Sequence, residues 1–243
     1  MKISVHCTNV KSHVKLGLTK EGAILKKKLT RDEIVDAAVR YADVHGIEQL
    51  SMRQLAGELN CGAMSIYHHV ANKDDLVDLM IDAIAGEIEI PTDISTQDNW
   101  LEAMRALIIS AYKMMLNHAW APKYWGQGSG PAKNLYLENV LRLLRQAGFS
   151  EELSCRGFHA LTMHVVGFSM QVLELRPLMD TKEKVHELGG RVLKEMSADE
   201  FPFMVEHIHF HMAGKDQRND FKYMLDLILD GLQRDYDSGV VPT

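Results

Sequence analysis

The residues best suited to metal chemistry lie in the run His207-Ile208-His209-Phe210-His211. On a helix, His207 and His211 share a face at positions i and i+4, where two imidazoles could hold a metal ion with Glu206 or with a residue from another helix. The segment supplies no third ligand of its own, and histidines of a polar surface or an interface are the alternative. We therefore predict no bound metal and keep the pair as a weak candidate.

The patterns of common enzymes are missing from the sequence. There is no Gly-rich phosphate loop, no His-Glu-x-x-His and no Ser/His/Asp arrangement, so we predict neither an enzyme nor a cofactor. The three cysteines, at positions 7, 61 and 155, lie far apart and fit a reducing cytoplasm. Residues 1–28 lack the apolar segment of a secretory signal, and the uncharged stretch 157–173 is too short and too polar to span a membrane.

The start of the first predicted helix is marked by a capping box. In Thr30-Arg31-Asp32-Glu33, the Thr30 hydroxyl can accept from the Glu33 amide while the Glu33 carboxylate reaches back to the Thr30 amide. The helix that follows has one apolar stripe and ends at His45-Gly46. The stripe consists of Ile34, Ala37, Ala38, Tyr41 and Ala42.

Two short helices follow, and their spacing is typical of a helix-turn-helix. Ser51-x-x-Gln54 opens the first one, and the second extends over about 63–70. Ala56 is small where the two helices approach, Asn60 tolerates the left-handed backbone that the turn requires, and Ile66 fills the space between the helices. Many helical hairpins meet these three conditions by chance, so the motif alone does not establish DNA binding.

The rest of the chain also has helical periodicity. Asn72 caps a fourth helix, and the polar segment 91–97 predicts a domain boundary. We predict further helices at 98–118, 131–147, 151–175, 199–213 and 217–236, with breaks at 120–130, at 147–149 and around Pro177. The fold class is all-α: a helix-turn-helix domain at 29–90 and a larger helical domain at 98–238.

The charge distribution separates a basic tail from an acidic remainder. The chain has 27 basic and 33 acidic residues, but residues 1–28 hold seven lysines and one glutamate, which leaves 20 basic and 32 acidic residues. Lys26, Lys27 and Lys28 directly precede the first helix, where an arm could follow the minor groove or the phosphates of DNA. A disordered extension, or a start codon assigned too far upstream, is the alternative.

A longer local run identifies a family resemblance. The segment 51–56, Ser-Met-Arg-Gln-Leu-Ala, followed by 65–76, Ser-Ile-Tyr-His-His-Val-Ala-Asn-Lys-Asp-Asp-Leu, closely resembles the DNA-binding domain of the tetracycline-repressor-like (TetR) family of bacterial transcription regulators. A weaker likeness to the ligand-binding and dimerisation domain of that family is carried by 117–122, 130–131, 146–149, 167–168 and 226–232. The resemblance implies a homodimeric repressor that a small-molecule effector releases from a double-stranded, palindromic operator.

The resemblance also implies which residues contact DNA. Ala63, Met64 and Ser65, at the start of the third helix, are the expected base contacts. The expected phosphate contacts are Ser51, Arg53, Tyr67, His68 and Lys73.

The recognition helix departs from the family pattern in two ways. Gly62 stands where a Ser or Thr cap is usual, a change worth only a few tenths of a kcal/mol. No Asp, Glu, Lys or Arg occurs between Glu58 and Lys73. Bidentate contacts from Arg to guanine are therefore excluded from this helix, and we expect contacts to thymine methyl groups or readout of DNA shape.

The second domain is expected to contain the dimer interface and the effector pocket. An apolar stripe in the last helix predicts the interface: Phe221, Met224, Leu225, Ile228, Leu229 and Leu232. Apolar, aromatic and Met side chains predict the pocket, although such residues are often ordinary core. The pocket candidates are Met104, Met114, Trp120, Trp125, Tyr136, Phe158, His159, Met163, Phe168 and Met170.

Two other functions stay open at this point. One is a helical small-molecule or metal-binding protein, including a zinc enzyme, whose helix-turn-helix is vestigial. The other is an activator or a nucleoid-type DNA binder without an effector. Tyr67 and Lys73 favour a regulator, because phosphate contacts serve no purpose in the first alternative.

Overall fold

The computed structural model describes residues 29–91, 99–214 and 220–239, and all regular elements in these ranges are helices. The all-α prediction is therefore confirmed for the described part of the chain. The predicted arm, Lys26 to Lys28, lies outside the described residues, as does most of the predicted boundary segment. No helix in the described ranges has the length and apolar character needed to cross a membrane.

The N-terminal domain, here called the head (29–91), contains four α-helices. They are α1 (Arg31–His45), α2 (Met52–Glu58), α3 (Ala63–Tyr67) and α4 (Lys73–Ala85), with a 3₁₀ turn at Ile47–Gln49 between α1 and α2. The capping box at Thr30 is confirmed, since its hydroxyl accepts from the Glu33 amide at 3.2 Å and its own amide donates to the Glu33 carboxylate at 3.1 Å. Helix α3 ends earlier than predicted.

The turn between α2 and α3 has the predicted left-handed residue. Asn60 has a φ of 49°, and it is the one non-glycine residue with positive φ among those described. Ala56 is buried beside the turn and Ile66 is fully buried in the head core. The helix-turn-helix is therefore fixed by one tolerated backbone conformation and two apolar contacts.

The C-terminal part, here called the body (99–239), contains seven further helices in the ranges that the structure describes, 99–214 and 220–239. They are α5 (Trp100–Asn117), α6 (Ala121–Tyr124), α7 (Pro131–Gln146), α8 (Glu151–Met179), α9 (Lys182–Lys194), α10 (Pro202–Met212) and α11 (Asp220–Ser238). Helix α8 packs against α5, α7 and α11, and α9 packs against the last turns of α8 and against α10. The Arg105 guanidinium of α5 bonds Asp226 of α11 at 2.6 Å.

One sequence prediction about the body was wrong, and one helix was missed. The break around Pro177 is absent, because α8 continues through this exposed proline to Met179. The Lys184 ammonium donates to the Pro177 carbonyl at 3.0 Å, which satisfies one of the carbonyls left free at the helix end. Helix α9 was not predicted, although Thr181 caps it by accepting from the Lys184 amide.

Candidate nucleic-acid interface and ligand cavity

The face of α3 that points to solvent carries the predicted DNA contacts. Met64 is 70% exposed, Tyr67 is 46% exposed and His68 is exposed as well. The three lie at positions i, i+3 and i+4, so they form one surface, while Ile66 points into the core. Ala63 and Ser65 are half-buried at the helix start. This uncharged surface can offer apolar contact, a phenol and an imidazole to a DNA groove.

Helix α2 presents Arg53 beside this surface. Arg53 is exposed at the second position of α2, in the first turn, where free amides and the helix dipole also favour an anion. Ser51 is exposed but already occupied, because its hydroxyl accepts from the Gln54 amide at 3.3 Å and donates to the Gln54 side chain at 2.6 Å. The capping box that the spacing Ser51-x-x-Gln54 suggests is thus half formed, and a phosphate would have to compete for this hydroxyl.

Lys73 is held more firmly than the sequence suggested. Its ammonium donates to the Ile47 carbonyl at 3.1 Å, which ties the start of α4 to the 3₁₀ turn. An ammonium has three N–H donors, so two remain for a phosphate oxygen. The predicted phosphate contact of Lys73 stays a prediction, and the residue also has a structural role in the head.

The body contains an apolar cavity of about 560 Å³ between α8, α9, α10 and the start of α11. Gly189 lets α9 approach α10 closely, because a Cβ there would lie 2.6 Å from the Met212 sulfur. The polar atoms that line the cavity come from few residues, which is typical of a small-molecule site. The lining residues are Phe168, Gln171, Val172, Leu175, Met179, Val185, Leu188, Gly189, Val192, His207, Ile208, His211, Met212, Asp220 and Met224.

Of the ten predicted pocket residues, Phe168 lines this cavity and the other nine do not, so their contact with a ligand stays a prediction. Five of them are core residues, at most 6% exposed, because they fill the contacts among the body helices; these are Met104, Met114, Trp120, Trp125 and Tyr136. Phe158 packs against the same core, His159 is exposed and bonds the Cys155 carbonyl, and Met163 and Met170 lie on the outer face of α8. The spacing of Val185, Leu188 and Val192 was the signal that could have identified α9.

The histidine pair lines the cavity. His207 and His211 have ring centroids 4.5 Å apart. Within the described residues, no three His, Cys, Asp or Glu side chains are grouped to hold a metal ion. Two imidazoles in an apolar wall are suited to hydrogen-bond a polar group of a ligand.

The predicted dimer stripe of α11 is largely an intramolecular contact. Four of its residues are buried within this single chain, where α11 packs on α8 and α5: Phe221, Leu225, Leu229 and Leu232. Met224 is 44% exposed and Ile228 is half-buried. The exposed apolar residues of α11 are Tyr223, Met224 and Leu227 instead, so the outward face is rotated relative to the predicted stripe.

A buried histidine joins the head to the body. The Nδ1 atom of His118, just after α5, lies 2.9 Å from Asp43 of α1, and its Nε2 atom lies 3.1 Å from Glu87 beyond α4. The Trp120 indole donates to the same Asp43 carboxylate at 2.8 Å. Burial disfavours the charged imidazole, but the bonds to the two carboxylates outweigh it and raise the pKa of His118. No sequence signal links these groups, because Asp43 and His118 are 75 positions apart.

The connecting helix α4 has a second contact with the body. Lys133, at the start of α7, is buried, and its ammonium donates to the carbonyls of Trp125, Gln127 and Gly128 at 2.6–2.9 Å. Its amide donates to Asp82 of α4 at 2.9 Å. Burial lowers the pKa of Lys133, although acidic groups on α4 oppose the shift. The loop before α7 is thus closed tightly against α4.

Both domains match models of known families. Residues 34–80 match the family described as bacterial regulatory proteins, tetR family, and residues 94–236 match the tetracyclin repressor-like C-terminal domain. The two matches follow each other in the chain and cover the head and the body in turn. The predicted helix-turn-helix and the predicted second domain are thus matched independently.

Individual relatives agree with these matches. The HTH-type transcriptional repressor DrrR1 of Streptomyces coeruleorubidus is 30% identical over 86% of this chain and 78% of its own length. An HTH-type transcriptional regulator of Saccharopolyspora erythraea is 35% identical, and the alignment spans 58% of this chain and 60% of that relative. Apo ActR of Streptomyces coelicolor has a similar structure, with a TM-score of 0.73 and 29% identity over 88% of this chain and 99% of ActR.

The structure of ActR in complex with actinorhodin is also similar, with a TM-score of 0.70 and 30% identity over 86% of this chain and 98% of ActR. The helix-turn-helix, the two family matches and these relatives lead to one conclusion. The chain belongs to the TetR family of bacterial transcriptional regulators. Its head is the DNA-binding domain of that family, and its body is the family's C-terminal domain.

Proposed function

We propose that this protein is a homodimeric repressor that binds a palindromic operator through its head, the domain predicted at 29–90, and is released when a small molecule binds its body, the domain predicted at 98–238. The observation that carries the proposal is the exposed, uncharged face of α3 at Met64, Tyr67 and His68, supported by a helix-turn-helix in a chain of the TetR family. The proposal assigns the protein to the cytoplasm, where it meets DNA, and gives it no catalytic step.

The chemistry of the α3 face limits the operator. Met64, with Ala63 and Ser65 beside it, is suited to thymine methyl groups and to one hydrogen bond with a base. Arg53 and Tyr67 are suited to phosphate oxygens, which fix the position of the head without selecting sequence. Specificity therefore depends on thymine-rich major-groove contacts and on the deformability of the DNA.

The dimer is supported by the outer faces of α8 and α11. Met163 is 63% exposed on α8, and Tyr223 and Leu227 are 51% and 55% exposed on α11. Large apolar side chains exposed on two helices that pack together are typical of a surface that binds another protein. A second copy of the chain satisfies this requirement with two-fold symmetry, and two-fold symmetry requires a palindromic operator.

The effector is proposed to bind in the cavity beside α9. The lining favours a largely apolar molecule with a polar group that can bond His207, His211 or Gln171. ActR, a relative of similar fold, was crystallised with actinorhodin, so a body of this architecture can hold a small molecule. Release requires that the effector prefer the DNA-free conformation by about 1–3 kcal/mol.

The predicted operator is tested by selecting DNA duplexes from a random pool with the purified full-length protein. The enriched duplexes are then footprinted with the protein bound. We expect an inverted repeat whose half-sites are separated by whole helical turns, about 10 base pairs each. Transcription in vitro from a promoter that overlaps the selected site should fall when the protein is added. Selection without enrichment of any sequence would refute specific DNA binding, and transcription that rises would identify an activator.

The cavity is tested with 1-anilinonaphthalene-8-sulfonate, a flat apolar probe with one anionic group. We expect saturable binding to the wild type, and loss of binding in Leu188→Trp, which fills the cavity. Leu135→Trp is the matched control, because Leu135 is 49% exposed on α7 and does not line the cavity. Equal binding by all three proteins would place the probe elsewhere and remove the cavity assignment.

A further inference from the structure

His118 belongs to the body but contacts two elements of the head at the boundary between the domains. Its ring is 9% exposed, and its two nitrogens face carboxylates on different elements of the head: Asp43 near the end of α1, and Glu87 just after α4. Trp120 adds a second bond from the body to Asp43. We call this group of four side chains the His118 junction.

The number of carboxylates that His118 can donate to depends on the protonation state and the position of its imidazole ring. A neutral imidazole has one N–H and one acceptor nitrogen, so it can donate to only one of the two carboxylates. A protonated ring donates to both, and bonds between charged partners are shorter and stronger than neutral ones. If the ring is withdrawn, the Asp43 side chain, which is 27% exposed, keeps the bond from the Trp120 indole, and solvent must replace the bond that it has lost.

The helices that the junction joins are those that orient the recognition helix. In the head, α1 packs against both α2 and α4, and α2 packs against α3. In the body, His118 is the residue directly after α5, and α5 packs along α8, which forms one wall of the cavity. A shift of α8 or α5 therefore reaches α1 and α4 together through the His118 side chain, beside the direct packing of α4 on α5, α6 and α7.

We propose that His118 is the positioning residue that couples the state of the body cavity to the orientation of the head. The inference rests on the proposed ligand-responsive function and adds the residue that transmits the response. In the DNA-binding state, His118 holds Asp43 and Glu87 at once and keeps α1 and α4 aligned. Movement of the end of α5 breaks these bonds, and the head is then free to take a different angle.

A neighbouring ion pair provides a matched control. Lys123 of α6 bonds Glu48 of the 3₁₀ turn at 3.0 Å, so it also joins body and head, but both side chains are more than 60% exposed. Exposed pairs of this kind contribute little, because solvent and salt screen them. Lys123→Ala therefore removes a link across the same boundary without disturbing the His118 junction, whose imidazole is buried.

The test compares hydrogen–deuterium exchange in the wild type, His118→Gln and Lys123→Ala, first without DNA. We expect amides of α1 and α4 to exchange at least ~10-fold faster in His118→Gln, while α7 is unchanged and Lys123→Ala resembles the wild type. His118→Gln with Asp43→Asn should recover part of the protection, because two amides can form a neutral bond. Unchanged protection of α1 and α4 in His118→Gln would overturn the proposal.

The second arm uses the duplex that the wild type selects from a random pool. Coupling between sites is reciprocal, so DNA bound to the head should change exchange in α8 and α9 of the wild type. We expect His118→Gln to bind the duplex and lose this distant response, while Lys123→Ala keeps it. A full response in His118→Gln would overturn the role of His118, whereas failure of the wild type to select any duplex would refute the proposed function instead.

Discussion

The head and the body are both built from amphipathic helices, but they differ in how completely one chain buries their apolar side chains. In the head, Ile34, Leu55 and Ile66 are fully buried, and the large apolar side chains left exposed are Val44, Met64 and Tyr67. The body leaves more of them exposed on α8, α10 and α11, and it also contains the cavity. The head is therefore complete as a single-chain fold, whereas the surface of the body is suited to a second copy and a ligand.

The largest expected effect is a loss of stability when a core side chain of the body is shortened. Leu229 is fully buried between α11 and its neighbours, so Leu229→Ala should lower the free energy of unfolding by about 2–5 kcal/mol. Leu227, two positions away, is 55% exposed, and Leu227→Ala should leave the core intact but weaken dimerisation. Urea unfolding and sedimentation equilibrium distinguish the two losses. Equal unfolding energies for both variants would contradict the division of α11 into core and interface.

The next effect concerns the turn of the head. Asn60 has a positive φ, so Asn60→Val should cost about 1–3 kcal/mol, because a β-branched residue is strained in this conformation. Asn60→Gly is the control and should unfold at the same temperature as the wild type or slightly higher, since glycine accepts this φ freely. Thermal unfolding followed by circular dichroism gives the comparison. A stable Asn60→Val protein would mean that the turn has another conformation.

A smaller effect is expected on the salt dependence of DNA binding, which should respond to a charge removed from the head and not to one removed from the body. Arg53→Ala should reduce the slope of log affinity against log salt by about 0.9, the amount expected for one lost phosphate contact. The loss should be similar on specific and scrambled duplexes. Lys113→Ala, an exposed lysine of α5 in the body, is the control and should leave the slope unchanged. Equal slopes for Arg53→Ala and the wild type would remove Arg53 from the interface.

The smallest effect is a pH dependence at the boundary between the domains. The pKa of His118 is raised in the folded protein, so its pairing contributes stability that is fully present below about pH 6.5 and is lost as pH rises through the folded pKa. Burial lowers the pKa of His164, which acts in the opposite direction. We therefore compare urea unfolding of the wild type and His118→Gln between pH 5 and 9. A constant difference over this range would contradict the pairing.

The head could be predicted from sequence because its signals are local. The Thr30 capping box, the cap at Ser51 and the left-handed Asn60 each depend on residues within about one helical turn. Such contacts are specified by spacing alone, so the order of the helices followed directly. The local signal was less precise at the end of α3, where the backbone leaves the helix at Tyr67 although the apolar pattern continues to Val70.

The body was predicted only in outline because its site depends on packing between distant elements. Met104 and Tyr136 are apolar on amphipathic helices, and that pattern is the same whether a side chain meets the core or a ligand. Phe221 and Leu229 face their own chain for the same reason. The Gly189-Gly190 pair obscured α9, although Gly189 is required there by the close approach of α10. His118 lies in segment 117–122, which carries part of the family likeness, but its contacts with Asp43 and Glu87 gave no signal, since these partners are on other elements.

The most direct test of the account is a fluorescence-anisotropy titration of the full-length protein against the DNA that flanks its own gene, at two salt concentrations and with a scrambled duplex for comparison. We predict saturation at one or two dimers per site, with at least ~10³-fold preference over the scrambled duplex. Met64→Ala should reduce this preference more than it reduces nonspecific affinity. Equal and steeply salt-dependent binding to both duplexes would contradict sequence recognition by α3.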